Sequence, residues 1–294
     1  MDFKNSEELL AICGEQDMKI SAVMLRRECD EMECSESAAV ERMRKALEIM
    51  RRSVQESVAS PRKSMGGLIG GEAAKLSERI KNGVGLCGGI LERAICYSMG
   101  VLEVNASMGL IVAAPTAGSS GVVPGLLLAM QDEYGFTDEQ VIAALFNAGA
   151  IGYLAMRNAT VAGAVGGCQA EIGVASAMAA SAAVELMGGT PKQSLNAAST
   201  VLMNMLGLVC DPVGGLVEYP CQSRNASGAA NALVAAEIAL AGVEQLIPFS
   251  EMLEAMYKVG KKLPAELRET ALGGCAATPS ACRLCGRHGR TETD

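Results

Sequence analysis

Tryptophan is absent from this chain, only 3% of its 294 residues are aromatic, and its single histidine, His288, sits in a polar terminal segment. With so few rings, the interior has to be filled by Ala, Val, Leu, Ile and 17 Met, and such small side chains let helices approach closely. His288 reads as a solvated side chain rather than a catalytic one. Positive charge is also scarce: a formal charge of -8 argues against the clustered basic surface that nucleic-acid phosphates require. The opening residues MDFKNSEELL lack the apolar stretch of a secretory signal. The 11 cysteines are therefore expected to sit in the cytoplasm, as free thiols or metal ligands rather than disulfides. Residues 109–130 carry no formal charge, but Pro115, Pro124 and the run TAGSSG would expose backbone to lipid, so a buried loop between core helices is expected.

What is present is helical periodicity, and the expected fold class is all-α. Asn5 and Glu8 have a capping-box spacing before LLAI, and a second helix is expected over 20–32. From Val40, the residues Met43, Leu47, Met50, Val54 and Val58 form an apolar stripe with charges between them. Ser60, Pro61 and the glycines from Gly66 to Gly71 mark a loop. These signals divide the chain into a helical arm (1–60), a Gly- and Ala-rich helical body (61–275) and a tail (276–294). Body helices are expected over 90–99, 122–131, 138–156 behind Thr137 and Gln140, 170–187, 191 to about 206 behind Thr190 and Gln193, 225–240 and 250–259.

Three cysteines lie where glycine or proline breaks the helical pattern: Cys168 in GGCQAE, Cys210 in LVCDP and Cys221 in YPCQSRN. Cys168 and Cys221 fall at or just before expected helix N-termini, whose unpaired N–H groups favour thiolates; Cys210 falls in a loop held by Pro212. Two readings stand side by side. The trio can be small buried hydrophobes, or it can ligate one metal centre, one thiolate short of a closed set.

GGCQAEIG, LGLVCDPVGGLVEYPCQSRNA, EVNASMG and APTAGSSGVVPG, followed by RETALGGCAATP, closely resemble the alpha chain of the bacterial iron-sulfur L-serine dehydratases. The resemblance implies a mostly helical catalytic domain in which Cys168, Cys210 and Cys221 hold a [4Fe-4S] cluster with one open iron. It also implies a carbon–oxygen lyase that needs no PLP, with the iron assisting hydroxide departure and a general base taking the α-proton. The aminoacrylate formed would tautomerise and hydrolyse to pyruvate and ammonia. A partner beta chain and an oligomer are expected, with the amphipathic arm either docking that partner or packing on the chain's own body.

Substrate carboxylate binding falls, on the same resemblance, to Thr116, Gly118 and Ser119. Asn105 either binds substrate or caps a turn, Arg224 either faces the carboxylate or pairs with Glu218, and Glu171 is either a base or a helix N-terminal charge. Relatives often carry a histidine or lysine in the glycine loop after the arm, where this chain reads GLCGGIL, so the base is unassigned. Lys63, Lys75 and Lys81 read as solvated, and Cys13, Cys29, Cys34, Cys87 and Cys96 read as packing residues. Cys275, Cys282 and Cys285 form a second group, with the outcomes of a metal site, a redox pair or self-inhibition open. The alternatives for function are a cluster-dependent lyase acting on L-cysteine or L-threonine, and a non-catalytic cluster-binding subunit.

Overall fold

The computed structural model describes residues 1–83 and 85–284. Cys285 and His288 lie outside the described residues. Among those described there is no strand, and the fold is all-α.

The arm comprises α1 (Ser6–Gln16), α2 (Ile20–Glu31) and α3 (Glu36–Ala59). Asn5 caps α1 by accepting from the Glu8 N–H, as its spacing predicts, and Ser35 caps α3 in the same way. The stripe on α3 buries Leu47, Met50 and Val54 in the common core, each residue contributing about 1.5–3 kcal/mol by leaving water. Its neighbours are α5 (Gly89–Ala106) and α7 (Asp138–Asn158), so the apolar face of the arm is covered by the chain's own body.

The body also contains α4 (Glu72–Lys81), α6 (Val122–Tyr134), a short α8 (Gly163–Gly166), α9 (Val174–Leu186), α10 (Pro191–Asn204), α11 (Cys221–Leu240) and α12 (Phe249–Lys262), and α13 (Pro279–Leu284) follows in the tail segment. Helix α9 is the axis of the core. Its sequence VASAMAASAAVEL is buried from Val174 to Glu185, and α6, α7, α10 and α11 surround it. A helix apolar on every side belongs in an interior, and alanine lets four neighbours reach it. Thr137 and Thr190 each close a capping box with the glutamine three residues on, at the starts of α7 and α10.

Helix α7 is long and apolar enough to cross a membrane by length and composition, but it packs between α2 and α9 as a core element. The uncharged 109–130 stretch is broken, as expected: an irregular segment, a 3₁₀ turn over Ala117–Ser119, then the buried first turns of α6.

Several boundaries differ from the sequence reading. Helix α5 continues past Met99 because Gly100 is a contact point: a Cβ there would meet Ser57 Oγ of α3 at 2.2 Å. Helix α4 was not expected at all. Before α9, residues Gln169–Gly173 form a π-helical turn, and α11 begins at Cys221 rather than at Asn225. Helix α10 stops at Asn204, ahead of the anticipated end near Leu206.

Candidate cluster-binding site

Cys168, Cys210 and Cys221 are all buried and approach closely enough that Cys210 feels the charge of the other two thiols. Each arrives on a different backbone device. Cys168 precedes the π-helical turn, a local widening that recurs at functional sites. Gln169, fully buried, holds that turn by donating to the Gly166 and Met256 carbonyls at 2.8 and 2.9 Å, while its Oε1 accepts from the Gly207 N–H at 2.8 Å. Cys221 is the first residue of α11, where backbone N–H groups lack intrahelical partners.

Cys210 is held by a segment far along the chain. Its N–H donates to the Leu267 carbonyl at 2.9 Å and its carbonyl accepts from the Glu269 N–H at 2.7 Å, an isolated parallel bridge across Arg268. To the Pro212 expected from the sequence, the structure adds this second restraint.

Burial pushes the Cys168 and Cys221 thiols up to about 12, with Arg224 opposing the shift in both, and it pushes Cys210 up further, helped by Glu171 and the other thiols. Such thiols stay neutral unless a cation draws them to thiolates, as a coordinated metal does. Among the described residues no three His, Cys, Asp or Glu side chains converge on a point as ligands of a single ion would. A cluster makes a different demand, taking one thiolate at each of three separate irons. Three spaced, buried thiols beside a guanidinium fit that donor set.

Glu171 stands among the thiols. Its Oε1 accepts from Thr116 Oγ1 at 3.1 Å and its Oε2 from Cys210 Sγ at 3.7 Å. Burial, then the Glu269 charge, raises its pKa, against the two hydrogen bonds. Gly163 makes room for this contact, because a Cβ there would meet Glu171 Oε2 at 2.5 Å and Cys210 Sγ at 3.0 Å.

The TAGSSG turn is brought to the thiols from two sides. Thr116 reaches Glu171, while buried Asn225 on α11 donates to the Gly118 and Cys221 carbonyls at 2.8 and 2.9 Å and accepts from the Gly121 N–H at 2.9 Å. Thr116 and Ser119 spend their side chains on a capping box around the turn, and Gly118 lies against Val217. Ser120, fully buried, keeps a hydroxyl without a hydrogen-bond partner.

Arg224 does not pair with Glu218. Its Nη1 lies 2.7 Å from Asp211 Oδ1 and donates to the Val209 carbonyl at 2.9 Å, and its positive charge acts on Cys168. Glu218 is instead an anchor for the loop after the arm, accepting from Ser64 Oγ at 2.6 Å and from the Gly66 and Leu68 N–H groups at 2.5 and 3.0 Å. Gln222, beside Cys221, donates to buried Glu103 at 2.8 Å, and Glu103 in turn accepts from the Gly71 and Ala73 N–H groups.

Asn105 lies half-buried in the last turn of α5, next to Ala106, whose carbonyl accepts the Met65 N–H at 3.0 Å. Lys63, Lys75 and Lys81 are exposed, as expected. Of the second cysteine group, Cys275 donates its N–H to Asp211 Oδ2 at 2.6 Å, and Cys282 lies on α13. Two cavities flank the Asp211–Arg224 pair. One, of about 450 Å³, is lined by Val213, Tyr219, Cys275 and residues of α13; the other, of about 700 Å³, is lined by Arg224, Leu208 and the end of α10.

Asp211, Gln222, Gln169, Asn225 and Ser120 were not singled out from the sequence, and Glu218 was named there only as a partner for Arg224. All but Ser120 lie within four residues of one of the three cysteines, which was the available signal.

A family model described as serine dehydratase alpha chain matches residues 15–276. The chain is 48% identical over 282 residues to the probable L-serine dehydratase alpha chain of Bacillus subtilis (strain 168), covering 96% of this chain and 94% of that protein. It is 42% identical over 279 residues to the L-serine dehydratase alpha chain of Peptoniphilus asaccharolyticus, covering 95% and 96%. The L-serine dehydratase of Streptomyces coelicolor is 35% identical over 286 residues, covering 95% of this chain but 62% of that longer protein.

Proposed function

Because this chain belongs to the serine dehydratase alpha-chain family, we propose that it converts L-serine to pyruvate and ammonia, with Cys168, Cys210 and Cys221 holding a [4Fe-4S] cluster. The observation that carries the reading is the meeting of three buried thiols with the TAGSSG turn, joined through Glu171 and Asn225. When bound, the cluster supplies Lewis acidity at an iron without a protein thiolate, which assists departure of the serine hydroxyl.

The protein's own groups do the rest. Arg224 places a positive charge beside Cys168 and so favours its thiolate. Asn225 fixes the turn, and the Ser120 hydroxyl, which has no partner among the described residues, is left to donate to a carboxylate. Glu171 is biased by burial toward its protonated form, keeping a proton beside Thr116 and Cys210 instead of adding a fourth negative charge. The enclosing helices keep bulk water from the thiols.

The proposed assembly includes a beta chain, because relatives matched end to end are named alpha chains and the S. coelicolor protein extends well beyond the shared region. The proposed compartment is the cytoplasm. Anaerobically purified chain, combined with its beta chain, is expected to release pyruvate from L-serine in preference to L-cysteine or L-threonine. Cys210→Ala is expected to lose bound iron and reduce pyruvate release to background. Full iron content in that variant would overturn the ligand assignment, and an iron-loaded complex inert toward L-serine would overturn the activity.

A further inference from the structure

Away from the site, the end of α2 brings two more cysteines together. Glu33 adopts the left-handed conformation at φ 47°, and the Cys34 N–H donates to the Cys29 carbonyl at 3.1 Å. The Met32 N–H still bonds the Glu28 carbonyl at 3.0 Å, so Met32 is the C-cap and Glu33 follows it. This is a Schellman ending, in which the side chains three residues before the cap and two after it come into contact. Most such contacts are between apolar groups. Here both positions are cysteine, so the side chains that this ending brings into contact are two thiols.

Three further features bear on reactivity. Arg42 Nη2 on α3 donates to Cys34 Sγ at 3.2 Å, placing a cation on one sulfur, as reactive thiols require. Cys29 lines an open surface cleft of about 610 Å³ with Met1, Asp2, Gln16, Arg26 and Asp30. Both thiols are free and only partly buried.

We propose that Cys29 and Cys34 form a modification site, a dithiol that a small-molecule disulfide such as glutathione disulfide closes into an intramolecular bridge. The Cys34 thiolate attacks one sulfur of the disulfide, forming a mixed disulfide and expelling the first small thiol. The Cys29 thiolate then attacks the Cys34 sulfur, forming the Cys29–Cys34 bond and expelling the second. Two protons pass from the protein thiols to the two departing thiolates; the protein dithiol is oxidised and the small disulfide reduced. Because the helix ending already holds the sulfurs together, the backbone needs little adjustment, and the bridge leaves the packing of α2 on α7 in place.

The test uses the full chain under anaerobic conditions, titrated with mixtures of reduced and oxidised glutathione, then unfolded, alkylated and cut with trypsin. Cleavage after Arg27 and Arg42 puts both cysteines on one peptide, 28–42. That peptide is expected to appear unalkylated and two hydrogens lighter, at a glutathione-disulfide fraction roughly tenfold lower than in urea-unfolded chain. Cys29→Ser is expected to leave glutathione on Cys34, while Cys34→Ser is expected to leave L-serine turnover unchanged. Recovery of peptide 28–42 with two alkyl groups or two glutathiones would overturn the proposal, as would equal closure of folded and unfolded chain. None of the peptide outcomes depends on the cluster.

Discussion

Cys29 and Cys34 meet across a single helix ending, whereas Cys168, Cys210 and Cys221 meet only because separate segments from Gly163 to Glu269 converge on them. The first contact is local and rests on one left-handed residue. The second is a tertiary product, held by Gln169, Asn225, Arg224 and the bridge at Cys210. A local contact survives disturbance elsewhere in the fold; a convergent one inherits every disturbance in the pieces that build it.

That contrast can be tested hardest at Arg224. Arg224→Lys keeps the charge but cannot set it against the Val209 carbonyl, Asp211 and Cys168 together, so turnover or iron retention is expected to fall about 10–100-fold, while closure of the arm dithiol is unaffected. Parallel measurements of iron content, pyruvate release and peptide 28–42 check it; a loss in all three would erase the distinction. Asn225→Ala strands the buried Gly121 N–H and frees the turn, and is expected to cost about 1–3 kcal/mol in urea unfolding, with a raised KM for L-serine. Equal kinetics in that variant would show that the turn is placed by other contacts.

The smallest expected effect concerns the junction of arm and body. Arg51 on α3 and Gln131 hydrogen-bond Asp138 at the start of α7, and Arg51 in particular holds the Asp138 carboxyl below its ordinary 3.8. A folded-state value below the unfolded one adds stability above pH 3.8 that disappears as the pH falls through the folded value. Asp138→Asn is therefore expected to flatten the acid side of the stability–pH curve slightly, read by thermal melts between about pH 5 and pH 2. An unchanged slope would remove this pair from the junction.

Local signals carried much of the fold. Thr137, Thr190 and Asn5 cap where their spacing says they should, and the stripe from Val40 folds as one helix, because these features depend on neighbours within a turn or two. Helix α5 runs past the expected end at residue 99: a glycine, here Gly100, is compatible with a helix stop or a close helix contact, and only Ser57 decides which. The three site cysteines were legible from motif context, but their anchors were not. Asp211 and Glu218 look like loop carboxylates until Arg224 and the 64–68 loop are seen beside them. The π-helical turn at Gln169 is likewise set by partners on the 207–208 segment and α12.

The backbone bridge at Cys210 has a bearing on biosynthesis. A ribosome releases Cys168, Cys210 and Cys221 well before it releases Leu267 and Glu269, the residues that clasp Cys210 from the other side. Vectorial synthesis thus leaves a period in which all three sulfurs exist without the clasp, and the finished enclosure has to await the later segment.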